Sequence, residues 1–128
     1  MSIVLRVSGD QLDLDACGRW IPKERLETSW VPGQQRGRKV TTAFGFNLLL
    51  GDDEQLNASI ASAKDVLASL AKPLTDLAGD GVSIVVDVAL FVYAQRPTSV
   101  SLPLDFLAMV LAAQATLVVS AYPTSDND

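Results

Sequence analysis

The run from Val82 to Tyr93 constrains this chain more than any other segment. Val82, Ile84, Val86, Val88, Leu90 and Val92 alternate with Ser83, Val85, Asp87, Ala89, Phe91 and Tyr93, the period-two pattern of a strand. Both sets are largely apolar, so the strand belongs inside a sheet, with helices over one face and more chain or a partner over the other. The preceding stretch supplies a helix. Leu56, Ile60, Ala63, Leu67, Leu70, Leu74 and Leu77 recur at alternating steps of four and three, which keeps one apolar face along the whole length. Asp52 is placed to cap this helix with Gln55 reciprocating, and Asp52, Asp53 and Glu54 suit the positive end of its dipole. Pro73 is expected to kink or end it.

The remaining elements are shorter. Ile3, Leu5 and Val7 alternate with Val4, Arg6 and Ser8 as a first strand, broken by Gly9. Asp13 can then cap a short helix with Leu14, Cys17 and Ile21 on one side, Trp20 beside them and Pro22 as its stop. A second strand over residues 25–31 puts Leu26, Thr28 and Trp30 on one face, and Pro32-Gly33 supplies a turn. A third over residues 40–50, with Thr42, Phe44, Phe46, Leu48 and Leu50 on one face, makes the two an antiparallel hairpin with a long basic tip. Pro103 suits the start of a helix continued by Leu104, Leu107, Val110 and Leu111 as far as Gln114, and residues 116–122 read as a closing strand. The order predicts an α+β fold: a ferredoxin-like split βαβ core (βαββαβ) extended by a C-terminal αβ unit, with a five-stranded, largely antiparallel sheet. Residues 1–123 are expected to form a single domain, and residues 124–128 a frayed acidic tail.

Composition removes whole classes of chemistry. Among 128 residues there is no histidine and one cysteine, Cys17, which excludes an intramolecular disulfide, Cys/His zinc sites and every His-dependent acid–base scheme. The serines sit in no Gly-x-Ser-x-Gly elbow, and Gly33, Gly37, Gly45 and Gly51 make neither a phosphate loop nor a dinucleotide fingerprint. Asp10, Asp13 and Asp15 cluster at a strand-to-helix turn, but their spacing breaks the EF-hand pattern, and helix capping accounts for them. Cys17, among apolar helix neighbours, reads as a buried structural thiol. No catalytic, metal-binding or cofactor-binding residue is therefore assigned, and an enzyme using carboxylates alone is the least supported class. The opening residues are too short an apolar run for a signal peptide. The uncharged stretch from Phe106 to Tyr122 contains Gln114, Thr116 and Ser120 and changes period midway, which reads as helix then strand rather than a membrane span. A cytoplasmic protein is expected.

Three local motifs carry a resemblance. Ser8-Gly9-Asp10-Gln11-Leu12-Asp13 after an opening strand, Leu102-Pro103-Leu104-Asp105-Phe106-Leu107, and the closing strand from Ala115 to Tyr122 resemble a bacterial family, the domain of unknown function numbered 4279. This chain departs from that pattern in having Phe44 and Phe46 where an aromatic-rich strand with Trp is expected, and Gln114 where a Gly would separate helix from strand. The resemblance covers most of the chain and implies an uncharacterised bacterial protein with no assigned catalytic residues. Some small acidic proteins of this general kind neutralise toxins, and an immunity-like role follows by analogy only.

Function is expected at surfaces. The formal net charge is -5, yet Arg19, Lys23, Arg25, Arg36, Arg38 and Lys39 make residues 19–39 basic. Arg36, Arg38 and Lys39 beside Trp30 form one candidate binding tip, although the overall acidity argues against non-specific nucleic-acid binding. Val85, Phe91 and Tyr93, on the second face of the longest strand, form the other. The expected function is binding of a protein partner without catalysis. The alternative is a small-ligand-binding or homo-oligomeric regulatory module, with a homodimer across that second face. Strand order decides whether the helix after Pro103 covers it.

Overall fold

The computed structural model describes residues 1–79, 81–93 and 99–124. In chain order these form β1 (Ser2–Gly9), α1 (Leu14–Cys17), a 3-10 turn (Lys23–Arg25), β2 (Leu26–Trp30), β3 (Gln35–Arg36), β4 (Lys39–Val40), β5 (Phe44–Asp52), α2 (Leu56–Leu77), β6 (Val82–Tyr93), α3 (Leu104–Ala112) and β7 (Thr116–Thr124). The fold is α+β. Its five-stranded sheet has the order β2-β5-β1-β6-β7, and β3 and β4 make a separate two-stranded ribbon at the tip of the β2–β5 hairpin. β1 runs antiparallel to β5 and β6, and β2 antiparallel to β5, but β7 runs parallel to β6. The sheet is therefore mixed, and the expectation of a largely antiparallel sheet is corrected. A helical crossover returns the chain to the end of the sheet where β6 began, so β7 has to enter in the same direction.

Those crossovers also decide where α3 lies. From β5 the chain crosses β1 through α2 to reach β6, and from β6 it steps the same way through α3 to reach β7. Parallel connections share one hand, so two successive steps in one direction leave both helices on the same face. The helices pack together there, and Lys64 Nζ stands 2.7 Å from Asp105 Oδ2. Between the sheet and this helical layer lies the core, in which Ile3, Leu5, Phe46, Leu48, Val86 and Val88 are fully buried.

The stripe of α2 packs as its spacing requires, with Ile60, Ala63, Leu67, Leu70 and Leu74 buried and Leu56 and Leu77 half-buried at its ends. Three local expectations are corrected, and the one for Pro73 is narrowed, since the helix does not end there. Asp52 ends β5 instead of capping α2; Gln55 occupies the cap position without a side-chain bond, and Asp53 Oδ1 accepts from the Gln55 N–H at 2.9 Å. Pro73 lies inside α2, which continues to Leu77 because Leu74 still anchors the last turn in the core. The first helix is a single turn capped by Asp13, whose Oδ1 accepts from Ala16 N–H at 3.1 Å; Trp20 and Ile21 lie beyond its end at Gly18. In α3 the buried side is Phe106 and Val110, while Leu104 and Leu111 are 84% and 77% exposed.

Smaller shifts occur in the strands. A bulge between Leu26 and Thr28 puts Leu26 opposite Leu48, on the helix-covered side, and Thr28 and Trp30 opposite Asn47 and Gly45, on the other. β5 begins at Phe44, and Val40 belongs to the tip ribbon. Thr124 is part of β7, and the rest of the expected tail, residues 125–128, lies outside the described residues. Gln114, at the end of α3, takes φ 55°, the left-handed conformation that a glycine adopts without strain.

The Lys64–Asp105 pair gives one pH-dependent link between α2 and α3. The hydrogen bond from Lys64 holds the Asp105 carboxyl below its ordinary value. A carboxyl depressed by folding contributes stability above its unfolded pKa and loses it as pH falls through the folded value. Asp105→Asn is accordingly expected to lower the melting temperature slightly near neutral pH, with the difference vanishing in strong acid and shrinking in high salt. Thermal melts across that range check it.

Candidate functional site: the open face of the sheet

Because α2 and α3 share one face, the other carries no helix among the described residues. Its residues follow from strand alternation and register. Arg6 lies between Asn47 on β5 and Val85 on β6; Val4 lies between Leu49 and Asp87; Asp87 in turn neighbours Val118 on β7, and Phe91 neighbours Tyr122. At the far corner Trp30 faces Gly45.

The face has a polar middle and two aromatic ends. In the middle Arg6 Nη2 is 4.0 Å from Asp87 Oδ2, and Ser120 Oγ donates to Asp87 Oδ1 at 2.9 Å. On the β6–β7 side Phe91 and Tyr122 sit with ring centroids 6.4 Å apart and planes tilted by 49°. They are 55% and 51% exposed, large apolar surfaces with water on one side. Trp30, on the β2 side, is buried instead. Its indole lies directly on Gly45, where a Cβ would enter the ring, and the Arg36 guanidinium sits 4.0 Å above the ring centroid, a cation–π contact.

Of the residues singled out in the sequence, Trp30, Val85, Phe91 and Tyr93 are brought to this one face, and Arg36 joins it through Trp30. Arg38 and Lys39 stay exposed at the hairpin tip. The tip is held by Thr41, whose Oγ1 accepts from Gln34 N–H at 2.9 Å and donates to the Val31 carbonyl. Sequence reasoning missed Arg6, Val118, Ser120 and Tyr122. Alternation in β7 contained the signal for the last three, but only the parallel register with β6 shows that they share the face of Phe91.

The other candidate features resolve into structure. Cys17 is buried, and that burial, with the Asp13 carboxylate adding to it, pushes its thiol pKa up, which keeps it protonated and unreactive at neutral pH. Among the described residues no three His, Cys, Asp or Glu side chains come together as a metal site. On the helix-covered side the brevity of α1 leaves a hollow of about 300 Å³ between Leu14, Ile21 and Leu26, with Lys23 at its rim. No helix among the described residues is long and apolar enough to cross a membrane. Comparison with family models, with curated proteins and with solved structures found no match.

Proposed function

We propose that this chain is a non-catalytic interaction module whose open sheet face receives a protein partner. The observation that carries this reading is the pair Phe91 and Tyr122, both more than half exposed and side by side on a face that no helix covers among the described residues. Contiguous exposed apolar surface of this kind marks a binding surface, and aromatic side chains dominate the energetics of such contacts. The polar row Arg6–Asp87–Ser120 gives the face a fixed donor and acceptor pattern for orientation. The order β2-β5-β1-β6, with antiparallel neighbours throughout, supports a ferredoxin-like core to which α3 and β7 are added. A cytoplasmic setting, membership of the family of unknown function numbered 4279 and an immunity-like role belong to the same proposal. The net charge of -5 favours a cationic partner for the last.

Phe91→Asp tests the reading. With its side chain more than half in water, the substitution is expected to cost about 1 kcal/mol or less in folding, from strand propensity alone. Association, with itself or with a captured protein, is expected to weaken by about tenfold or more. Circular dichroism checks the fold, and sedimentation with affinity capture checks the association. A folded variant that associates as the parent does overturns the proposal.

A further inference from the structure

We infer that β7 is a homodimer edge: two copies pair their β7 strands antiparallel about a two-fold axis at Ser120 and fuse their sheets into one. The inference rests on the interaction reading above and names the partner as a second copy of this chain.

The two edges of the sheet differ in kind. At the β2 edge, the strand is five residues long, carries Glu27 and is bulged between Leu26 and Thr28. Where β5 extends past it, Arg25 Nη1 donates to the Leu49 and Leu50 carbonyls at 3.1 and 3.2 Å. Charge, shortness, proline, a bulge and a covering side chain are means by which proteins stop an edge from pairing further. Among the described residues the β7 edge carries one such device, Pro123, next to its C-terminal end, and residues 116–122 are free of them. Its nine residues, Thr116–Thr124, contain no charge, and Val118, Val119 and Tyr122 are exposed. Such a strand offers a row of unpaired N–H and C=O groups to another strand.

Exposed apolar groups also gather on both sides of this edge. On the open face they are Phe91, Tyr122 and Val118; on the helix-covered face they are Val119 and Leu111. Helical geometry puts Leu111 on the flank of α3 away from Asp105, which binds Lys64 of α2, and so on the flank nearer β7. A partner lying only against the open face would leave Leu111 and Val119 in water. A sheet continued across β7 sets a partner strand beside Tyr122 and Val118 on one face and Val119 on the other.

A second copy is the occupant that fits without further assumption. Antiparallel overlap of β7 with itself about Ser120 pairs Ser120 with Ser120, Val119 with Ala121 and Val118 with Tyr122, and Pro123, opposite Leu117, ends the ladder on each side. Tyr122 then meets the partner's Val118 beside Phe91, an aliphatic–aromatic cross-strand contact of the favourable kind. No charged side chain opposes a like one in this ladder, although the chain carries a net charge of -5. A patch that complements itself across a two-fold axis closes after two copies and leaves only the two bulged β2 edges at the ends of the fused sheet.

Cysteine cross-linking tests the register. Residues facing each other across an antiparallel pair have Cα atoms about 4.5–5.5 Å apart, within disulfide reach. Cys17 is buried, so the unmodified chain serves as the blank. Under mild oxidation Ser120→Cys is expected to form a disulfide dimer rapidly and Ser83→Cys, on the same face near the start of β6, is not. Sedimentation velocity is expected to show a dimer, and Val119→Lys to weaken it by about tenfold or more with the fold retained. A monomeric parent chain, or cross-linking of Ser83→Cys as fast as that of Ser120→Cys, overturns the inference. A dimer broken by Phe91→Asp but indifferent to Val119→Lys also overturns it, while leaving the open-face reading intact. A dimer broken by Val119→Lys and indifferent to Phe91→Asp does the reverse.

Discussion

Phe46→Ala is expected to lower the unfolding free energy by about 3–5 kcal/mol, measured in urea at neutral pH. Phe46 is completely buried on the helix-covered side of β5, next to the central strand. Its ring meets Trp20 edge-on, with centroids 5.9 Å apart and planes at 70°, a geometry that adds to the burial itself. The segment after α1 is too short to repack over the space left behind, because α1 is one turn and Pro22 follows closely. The cavity therefore persists, which places the cost toward the upper end of the range. A loss below about 1 kcal/mol would show that the α1 region does not rest on this ring.

Gly51→Val is expected to cost about 3 kcal/mol, the upper end for overpacking. Any Cβ on Gly51 runs into the Ser59 carbonyl oxygen, with Ser59 Cα also only 3.0 Å away. The obstacle is helix backbone, which cannot rotate aside as a side chain does. Yielding would require the first turn of α2 to lift from β5. That turn is tied down by Ser59, fully buried, whose Oγ accepts from Asp53 N–H at 2.9 Å and donates to the Met1 carbonyl at 2.7 Å. Gly45→Ala makes the useful comparison, since its obstacle is the Trp30 ring on the sheet surface. Chemical denaturation of both variants is expected to show the Gly51 substitution as the more damaging.

Elements whose pattern was carried by many residues were legible. The six alternations of β6 fix both its length and which side chains it buries, and the stripe of α2 fixes its core face even across Pro73. Short elements were not. In β2 one extra residue at the bulge reverses the facing of Leu26, and no side chain there announces it. In α3 Leu104, Leu107, Val110 and Leu111 marked the helix without settling its buried side, which Phe106 and Val110 form. The direction of β7 and the side taken by α3 depend on strand order, which arises from long-range pairing and leaves no local trace. Half of the candidate site was read for the same reason: Trp30, Val85, Phe91 and Tyr93 lie on strands whose alternation is clear, whereas Arg6 and Tyr122 join them only through register.

The placement of the two indoles has a spectroscopic consequence. Trp20 lies against Phe46 under the helical layer, and Trp30 lies on Gly45 across the sheet, beneath a guanidinium. The molecule thus carries one tryptophan for each side of its sheet. Replacing either by Phe leaves a single indole, which can be excited apart from Tyr93 and Tyr122, so that loosening of the packed side and rearrangement at the hairpin tip can be followed as separate signals without an added dye.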